Sequence, residues 1–226
     1  MKEIKLFNPN QEEFDKMCEE INIHSLTIGN CKIKDYSKIS NLKELIKFEI
    51  ISSKNFKFDF FSKLTKIEKL KIKNMPELED ITSLKYLVNL KELEIDTPPS
   101  WDTSGKTLLL NNLDVLSLLT KLERIRLMKV TVKENGLKGL IPLKNLKVFE
   151  TDNTFEMEEF TLLAKNLPNT KCLFFEPSHE VCYVKCKKCG NNKHKLTLKG
   201  NRFLCPNCQE KKLEEYKQKF YQIKNK

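Results

Sequence analysis

The chain holds 226 residues with a formal net charge of +10, and it is 39% hydrophobic and 32% charged. No apolar run reaches the roughly 20 residues a bilayer span requires, and the opening Met1-Lys2-Glu3-Ile4-Lys5-Leu6 lacks the apolar core of a secretion signal. A membrane protein and a disulfide-stapled secreted scaffold are thereby set aside, and the expectation is a soluble, cytoplasmic protein with a packed core.

From the N-terminus onward, an apolar-x-apolar-x-polar motif recurs. Its copies start at Ile4, Leu26, Phe48, Leu70, Leu93, Ile125, Phe149 and Leu173, spaced 22, 22, 22, 23, 32, 24 and 24 residues apart. From the third copy, a leucine-like residue usually stands three before the start (Leu45, Ile67, Leu90, Leu122, Leu146). Another stands six before it (Leu42, Leu64, Leu87, Leu119, Leu143). Between the first two copies, Asn8-Pro9-Asn10-Gln11 reads as a helix start with Asn8 as N-cap, proline at N1 and glutamine at N3. Phe14, Met17, Cys18 and Ile21 share one face, so a helix is predicted over 9–21. The long interval holds an insertion, Thr97 to Gly105, that carries the only tryptophan, Trp101, and should project as a loop. A second helix is predicted from Glu156 to Lys165.

This pattern resembles the leucine-rich repeat, LxxLxLxxN, over roughly residues 1–177. The resemblance implies an α/β solenoid with a curved parallel sheet of about eight strands, each coil burying its leucines against its neighbours. The copies depart from the pattern at the asparagine position: Asn8, Asn30, Asn74 and Asn153 keep it, while Ser52, Thr97, Lys129 and Pro177 do not.

Side chains in such strands alternate between core and concave surface. The outward column reads Lys5, Thr27, Glu49, Lys71, Glu94, Arg126, Glu150, Phe174, alternating in sign from Glu49 to Glu150. Lys69, Lys71 and Lys73 form a basic row, Glu92, Glu94 and Asp96 an acidic row, and Arg124 with Arg126 another basic row. One reading is a self-neutralising ladder. The preferred one is a striped face for a charged protein partner, with Ile51, Met128 and Phe174 as exposed apolar anchors and Trp101 as an added contact. Acidic stripes would interrupt any polyanion laid along this face.

The tail differs from the body. Residues 178–226 carry 13 Lys/Arg against 4 Asp/Glu, and five of the eight cysteines. The expected domains are therefore 1–177 and 178–226. Cys186-Lys187-Lys188-Cys189 and Cys205-Pro206-Asn207-Cys208 form C-x2-C-x15-C-x2-C. Four thiolates suit tetrahedral zinc and leave no open position for catalysis. An iron–sulfur or redox role is the lesser alternative. The segment between them reads as strand (from His194), turn (Lys199-Gly200-Asn201) and strand (Arg202 to Leu204). It looks like a zinc ribbon over about residues 180–210. Cys182 is taken as a buried thiol and His194 as a surface residue. Leu196-Thr197-Leu198 falls 23 residues after Leu173 and could dock the ribbon on the last solenoid strand. Gln209 to Lys224 reads as a helix whose stripe, Leu213, Tyr216, Phe220 and Ile223, packs on the ribbon or the solenoid.

No catalytic constellation appears. Ser104-Gly105-Lys106-Thr107 echoes a phosphate-binding loop but lacks its first glycine and its strand. The sequence therefore points to a noncatalytic protein-interaction module. Small solenoids of this kind resemble bacterial immunity proteins, which implies a toxin or effector as partner. The alternative is a zinc-ribbon adaptor on nucleic acid or a nucleic-acid enzyme, binding through Lys187, Lys188, Lys193, Lys195 and Arg202.

Overall fold

The computed structural model describes residues 1–53, 56–97, 107–152, 154–182, 185–197 and 203–226. The insertion around Trp101, Asn153, the expected ribbon turn and Arg202 lie outside those residues. Seven strands form one parallel sheet: β1 (Lys2–Phe7), β2 (Ile23–Gly29), β3 (Lys47–Ile51), β4 (Lys69–Lys73), β5 (Glu92–Asp96), β7 (Arg124–Met128) and β9 (Val148–Thr151), side by side in that order. A two-stranded parallel pair, β6 (Leu108–Leu110) with β8 (Val130–Val132), accompanies it where the long repeat interval falls.

Each coil returns to the next strand through a short 3-10 turn on the far side. These turns are Ser37–Asn41, Asp59–Lys63, Thr82–Tyr86, Asp114–Leu118 and Gly136–Leu140. Local polar chemistry starts several of them: Asp35, Asp80 and Asn112 each accept the backbone N–H two residues on, at 2.8, 2.8 and 3.1 Å. In the first coil the return is helix α1 (Gln11–Met17), and after β9 it is helix α2 (Met157–Asn166).

The repeat leucines behave as their spacing demands. Leu42, Leu45, Leu64, Ile67, Leu87, Leu90, Leu119, Leu122, Leu143 and Leu146 are all buried, as are the inward strand positions from Leu26 to Phe149. Full burial of each such side chain stabilises by about 1.5–3 kcal/mol, and stacked coils at roughly 4.8 Å spacing turn these contributions into one continuous core.

The asparagine position has a backbone reason. Asn8, Asn30, Ser52, Asn74 and Lys129 all sit at positive φ, between 49° and 57°. Asparagine tolerates this left-handed conformation better than most residues. The N–H groups of Asn8, Asn30, Ser52 and Asn74 donate to Gly29, Ile51, Lys73 and Asp96 of the next strand at 2.9–3.0 Å. The turn is thus kept at Ser52 and Lys129, where asparagine is not.

That requirement corrects the predicted N-terminal helix. Asn8 ends β1 in the left-handed turn and cannot cap, so the cap is Asn10. Its Oδ1 accepts from Glu13 N–H at 2.9 Å, and Glu13 Oε2 accepts from Asn10 N–H at 3.0 Å. The helix ends at Met17, and Ile21 is 66% exposed instead of lying on the buried face.

The eighth copy also differs from expectation. Lys171 makes one parallel bridge to Val148, and then Leu173–Phe175 winds into a 3-10 turn. Phe174 is consequently buried against Phe160 of α2, ring centroids 5.1 Å apart, and is not a concave anchor. The tail forms a separate antiparallel sheet of β10 (Ser178–Val181), β11 (His194–Thr197) and β12 (Phe203–Leu204), followed by helix α3 (Glu210–Lys224). The ribbon therefore does not extend the solenoid sheet. Instead α3 lies against α2 and inserts Phe220 into the solenoid core, with Tyr216 and Ile223 beside it. Leu213, one end of the same stripe, is also buried.

Coil-to-coil approach is tight enough to require glycine at 139. A methyl group there would strike the Leu113 carbonyl and come within 3.0 Å of Asp114 Cα in the neighbouring coil. Gly139→Ala should therefore destabilise by about 1–3 kcal/mol, as overpacking does, read as a lower denaturant midpoint. An unchanged midpoint would show that the coils separate freely.

Candidate metal centre and concave face

Cys186 and Cys189 lie in the loop before β11, and Cys205 and Cys208 follow β12, so the antiparallel β11–β12 pair brings the two CxxC turns together. Each turn is closed by its own backbone. Gly190 N–H donates to the Cys186 carbonyl at 2.9 Å and Cys186 N–H to the Asn191 carbonyl at 2.8 Å, with Gly190 at φ 71° supplying the left-handed step. Gln209 N–H donates to the Cys205 carbonyl at 2.9 Å, while Gln209 Oε1 accepts from Cys205 N–H at 3.1 Å.

All four sulfur atoms lie within 4.8 Å of one another and could hold a metal ion. Cys186 and Cys208 sulfurs are 3.9 Å apart, and those of Cys189 and Cys205 are 3.6 Å apart. A tetrahedral ion with bonds of about 2.3 Å to sulfur spaces its ligands about 3.8 Å apart, so these residues fit one. The electrostatics agree. The N–H groups of Cys189 and Lys188 draw the Cys186 thiol down to about 6, whereas hydrogen bonding to Cys189, desolvation and the neighbouring sulfurs push Cys208 up to about 12. The thiols oppose ionising side by side, and a bound cation removes that opposition.

Two neighbours are placed differently from expectation. Cys182 is exposed, directly after the last residue of β10, an edge strand of the three-stranded sheet. His194 is 4% exposed, because it opens β11, the central strand of the three. Beside the cysteines a cleft of about 660 Å³ is lined by Lys185, Lys187, Lys188, His194, Lys211 and Lys212. Of these lysines the sequence reading singled out only Lys187 and Lys188. The remaining signal was Lys211-Lys212, three residues past the second CxxC in the first turn of α3, which shares the cleft with the first CxxC turn. Lys193 and Lys195, by contrast, pair with Glu180 at 3.7 and 3.4 Å.

On the solenoid, strand register places Glu49 beside Lys71, Lys71 beside Glu94, Glu94 beside Arg126, and Arg126 beside Glu150. The side chains use this proximity. Lys73 reaches Glu49 at 2.9 Å, Lys71 reaches Glu94 at 3.1 Å, and Lys69 reaches Glu92 at 2.5 Å. Arg126 reaches Asp96 at 3.2 Å, and Arg124 reaches Glu150 at 2.9 Å. The acidic centre of this lattice is held deepest: the side chains of Glu94 and Asp96 are 19% and 14% exposed. Arg124 and Lys71, at 51% and 43%, stay accessible. Met128 and Ile51 are half-buried at strand ends. Trp101 lies outside the described residues.

Comparison with solved structures is consistent with this geometry. Internalin C2 of Listeria monocytogenes superposes with a TM-score of 0.53 at 18% identity, covering 75% of this chain and 65% of its own. A second internalin of that species, InlF, gives 0.51 at 17% identity, covering 73% of this chain and 44% of its own. The fold is a leucine-rich-repeat solenoid. This chain spans less than two thirds of either internalin, and at such identities the likeness concerns the fold alone. No protein-family model matches the chain, and no curated protein sequence does.

The leucine-rich-repeat face makes a pH-dependent prediction. Burial pushes the Glu94 carboxyl up, but its hydrogen bond to Lys71 and the charges of Lys71, Lys73 and Arg126 outweigh this and hold it below its usual range. A depressed carboxylate contributes stability above its unfolded pKa, lost as pH falls through the folded value. Glu94→Gln should therefore be less stable than the parent at pH 7, by about 1 kcal/mol for a largely screened pair. The difference should close below about pH 4. Urea unfolding across that range tests it, and a difference that persists in acid would assign the loss to packing.

Proposed function

We propose that this protein is a noncatalytic interaction module that binds a protein partner through the concave face of its leucine-rich-repeat sheet. The supporting observation is register: strand pairing fixes alternating acidic and basic rows on one open, curved surface. Because Glu94 and Asp96 are already held by neighbouring cations, the surface meets a partner with its charges in place, and less ordering has to be completed on binding. Complementary stripes also penalise partners of the wrong pattern. Glu49, Lys71, Lys73, Glu92, Glu94, Asp96, Arg124, Arg126, Met128 and Glu150 form this proposed face. Within that reading, the resemblance to immunity proteins makes a toxin or effector the partner class. Residues 1–177 are taken as the repeat unit, and 178–226 as the ribbon with its helix.

Reversing Glu92, Glu94 and Asp96 together to lysine tests the face. Exposed pairs are worth about 0–1 kcal/mol each, whereas desolvated interface charges cost about 2–5 kcal/mol when unpaired. Affinity for the partner captured by the native protein should fall far more than stability does. Full affinity in the folded triple mutant would reduce the rows to a structural ladder.

The four cysteines are proposed to hold one structural zinc. Zinc supplies folding free energy in such sites, about 10–16 kcal/mol in zinc-finger peptides, and its four-sulfur shell is closed to substrate. Elemental analysis should find one zinc per chain, lost in Cys186→Ser and Cys208→Ser together with the order of the β10–β12 sheet. Iron in stoichiometric amount would replace this assignment with an iron–sulfur centre.

A second reading, an adaptor on nucleic acid, is favoured by one observation: the lysine-lined cleft beside the cysteines.

A further inference from the structure

Five lysines crowd that cleft from two directions. Lys185, Lys187 and Lys188 come from the first CxxC turn, and Lys211 and Lys212 from the first turn of α3. All five are exposed, and none of them takes part in any of the ion pairs formed among the described residues. Only one acid, Glu210, is among the lining residues described. The elements that carry these lysines are fixed by the cysteine turns, which also line the cleft through Cys186 and Cys208, so five positive charges gather in excess of Glu210 and of the net −2 that four thiolates on a divalent ion would carry. A concentration of like charge that the fold does not neutralise marks a site for an anion.

Two further features give the anion a shape. His194 lines the same cleft, is 4% exposed, and has an Nδ1 with no hydrogen-bond partner among the described residues. A buried polar atom left unsatisfied is costly unless something else completes it. Phe203 supplies a half-buried ring at the cleft wall. At about 660 Å³ the recess matches a small-molecule pocket, for which about 300–1,000 Å³ is usual. A double helix, with its bases paired inward, could offer this recess only backbone phosphates and no free base for the ring. A flat lipid surface would meet only its rim. Paired walls of lysine beside an aromatic ring are the features that track a single strand, with phosphates on the cations and a base on the ring.

We propose that the cleft between the first CxxC turn and the start of α3 binds the phosphate backbone of single-stranded nucleic acid. Lys187, Lys188, Lys211 and Lys212 are its main phosphate contacts. This rests on the second reading above and is independent of the concave face. It also moves the binding site away from Lys193 and Lys195, which Glu180 already engages.

The test is fluorescence anisotropy of the full-length protein, its metal content measured, with a labelled 12-nucleotide oligothymidylate. Four phosphate contacts on a single strand give a log–log salt slope of about −2.8, so affinity should fall roughly 50-fold between 50 and 200 mM salt. The double variant Lys187→Gln/Lys211→Gln, surface changes that leave metal content and circular dichroism unaltered, should weaken binding at least tenfold. It should also flatten the slope by about 1.4. Strand binding that this variant does not reduce, or equal binding of a 12-base-pair duplex, would overturn the cleft while leaving the nucleic-acid adaptor standing. Absence of binding to both strand and duplex at 50 mM salt would overturn cleft and adaptor together. Displacement of the strand by polyglutamate of equal charge, at equal concentration, would overturn the nucleic-acid assignment in favour of an acidic protein segment.

Discussion

No coil of this protein can bury its own leucines. Each contributes one strand of four to seven residues and one short 3-10 turn or helix, far too little to enclose apolar side chains, so every coil depends on the one stacked beside it. That dependence sets the repeat length, the glycine at 139 where one coil's backbone presses on the next, and the left-handed turn that redirects the chain after most strands. It also creates the problem of ends, because the last coil has an apolar side and no following coil.

The C-terminal solution draws on three elements. Helix α2 takes the place of a 3-10 turn, Phe174 turns inward onto Phe160, and α3 returns from the ribbon to place Phe220 in the core. The tail is therefore coupled mechanically to the solenoid. Helix α3 begins two residues after Cys208 and ends against α2, so order at the cysteines and closure of the repeat core share one structural element. His179 on β10, edge-on to the Phe174 ring at 5.6 Å, adds a second contact across the same junction. Disruption of the four-cysteine cluster would therefore be felt in the last coils as well as in the β10–β12 sheet.

The two charged surfaces differ in kind. On the concave sheet, five cations and five acids at strand spacing satisfy one another, giving a patterned but balanced face. Near the cysteines, five lysines gather around a single acid, Glu210. A balanced pattern discriminates among protein surfaces by register, whereas an uncompensated cluster attracts anions over distance. The two surfaces lie on different parts of the chain and suit different partners.

Periodicity and spacing determined much of this protein by themselves. The ten leucine-like repeat positions, the alternating outward column, the paired CxxC turns and the α3 stripe were readable because each depends on a fixed interval along the chain. What failed depended on a neighbour in space. Asn8 was a good helix cap by local rules, but the strand-end turn claimed it and passed the cap to Asn10. Phe174 kept the repeat register, yet with no coil beyond it burial was worth more than pairing, and the strand gave way to a 3-10 turn. His194 was taken for a surface residue and Cys182 for a buried one, and their strands' places in the sheet, central and edge, reversed both. Lys193 and Lys195 read from the sequence as nucleic-acid contacts, but Glu180 pairs with both, while Lys211 and Lys212 gain importance only because the start of α3 shares a cleft with the first CxxC turn. Sequence intervals specify which residues face inward within a repeating element; the end of the repeat and the meeting of distant segments are settled by which surfaces remain to be covered, and only the tertiary structure decides that.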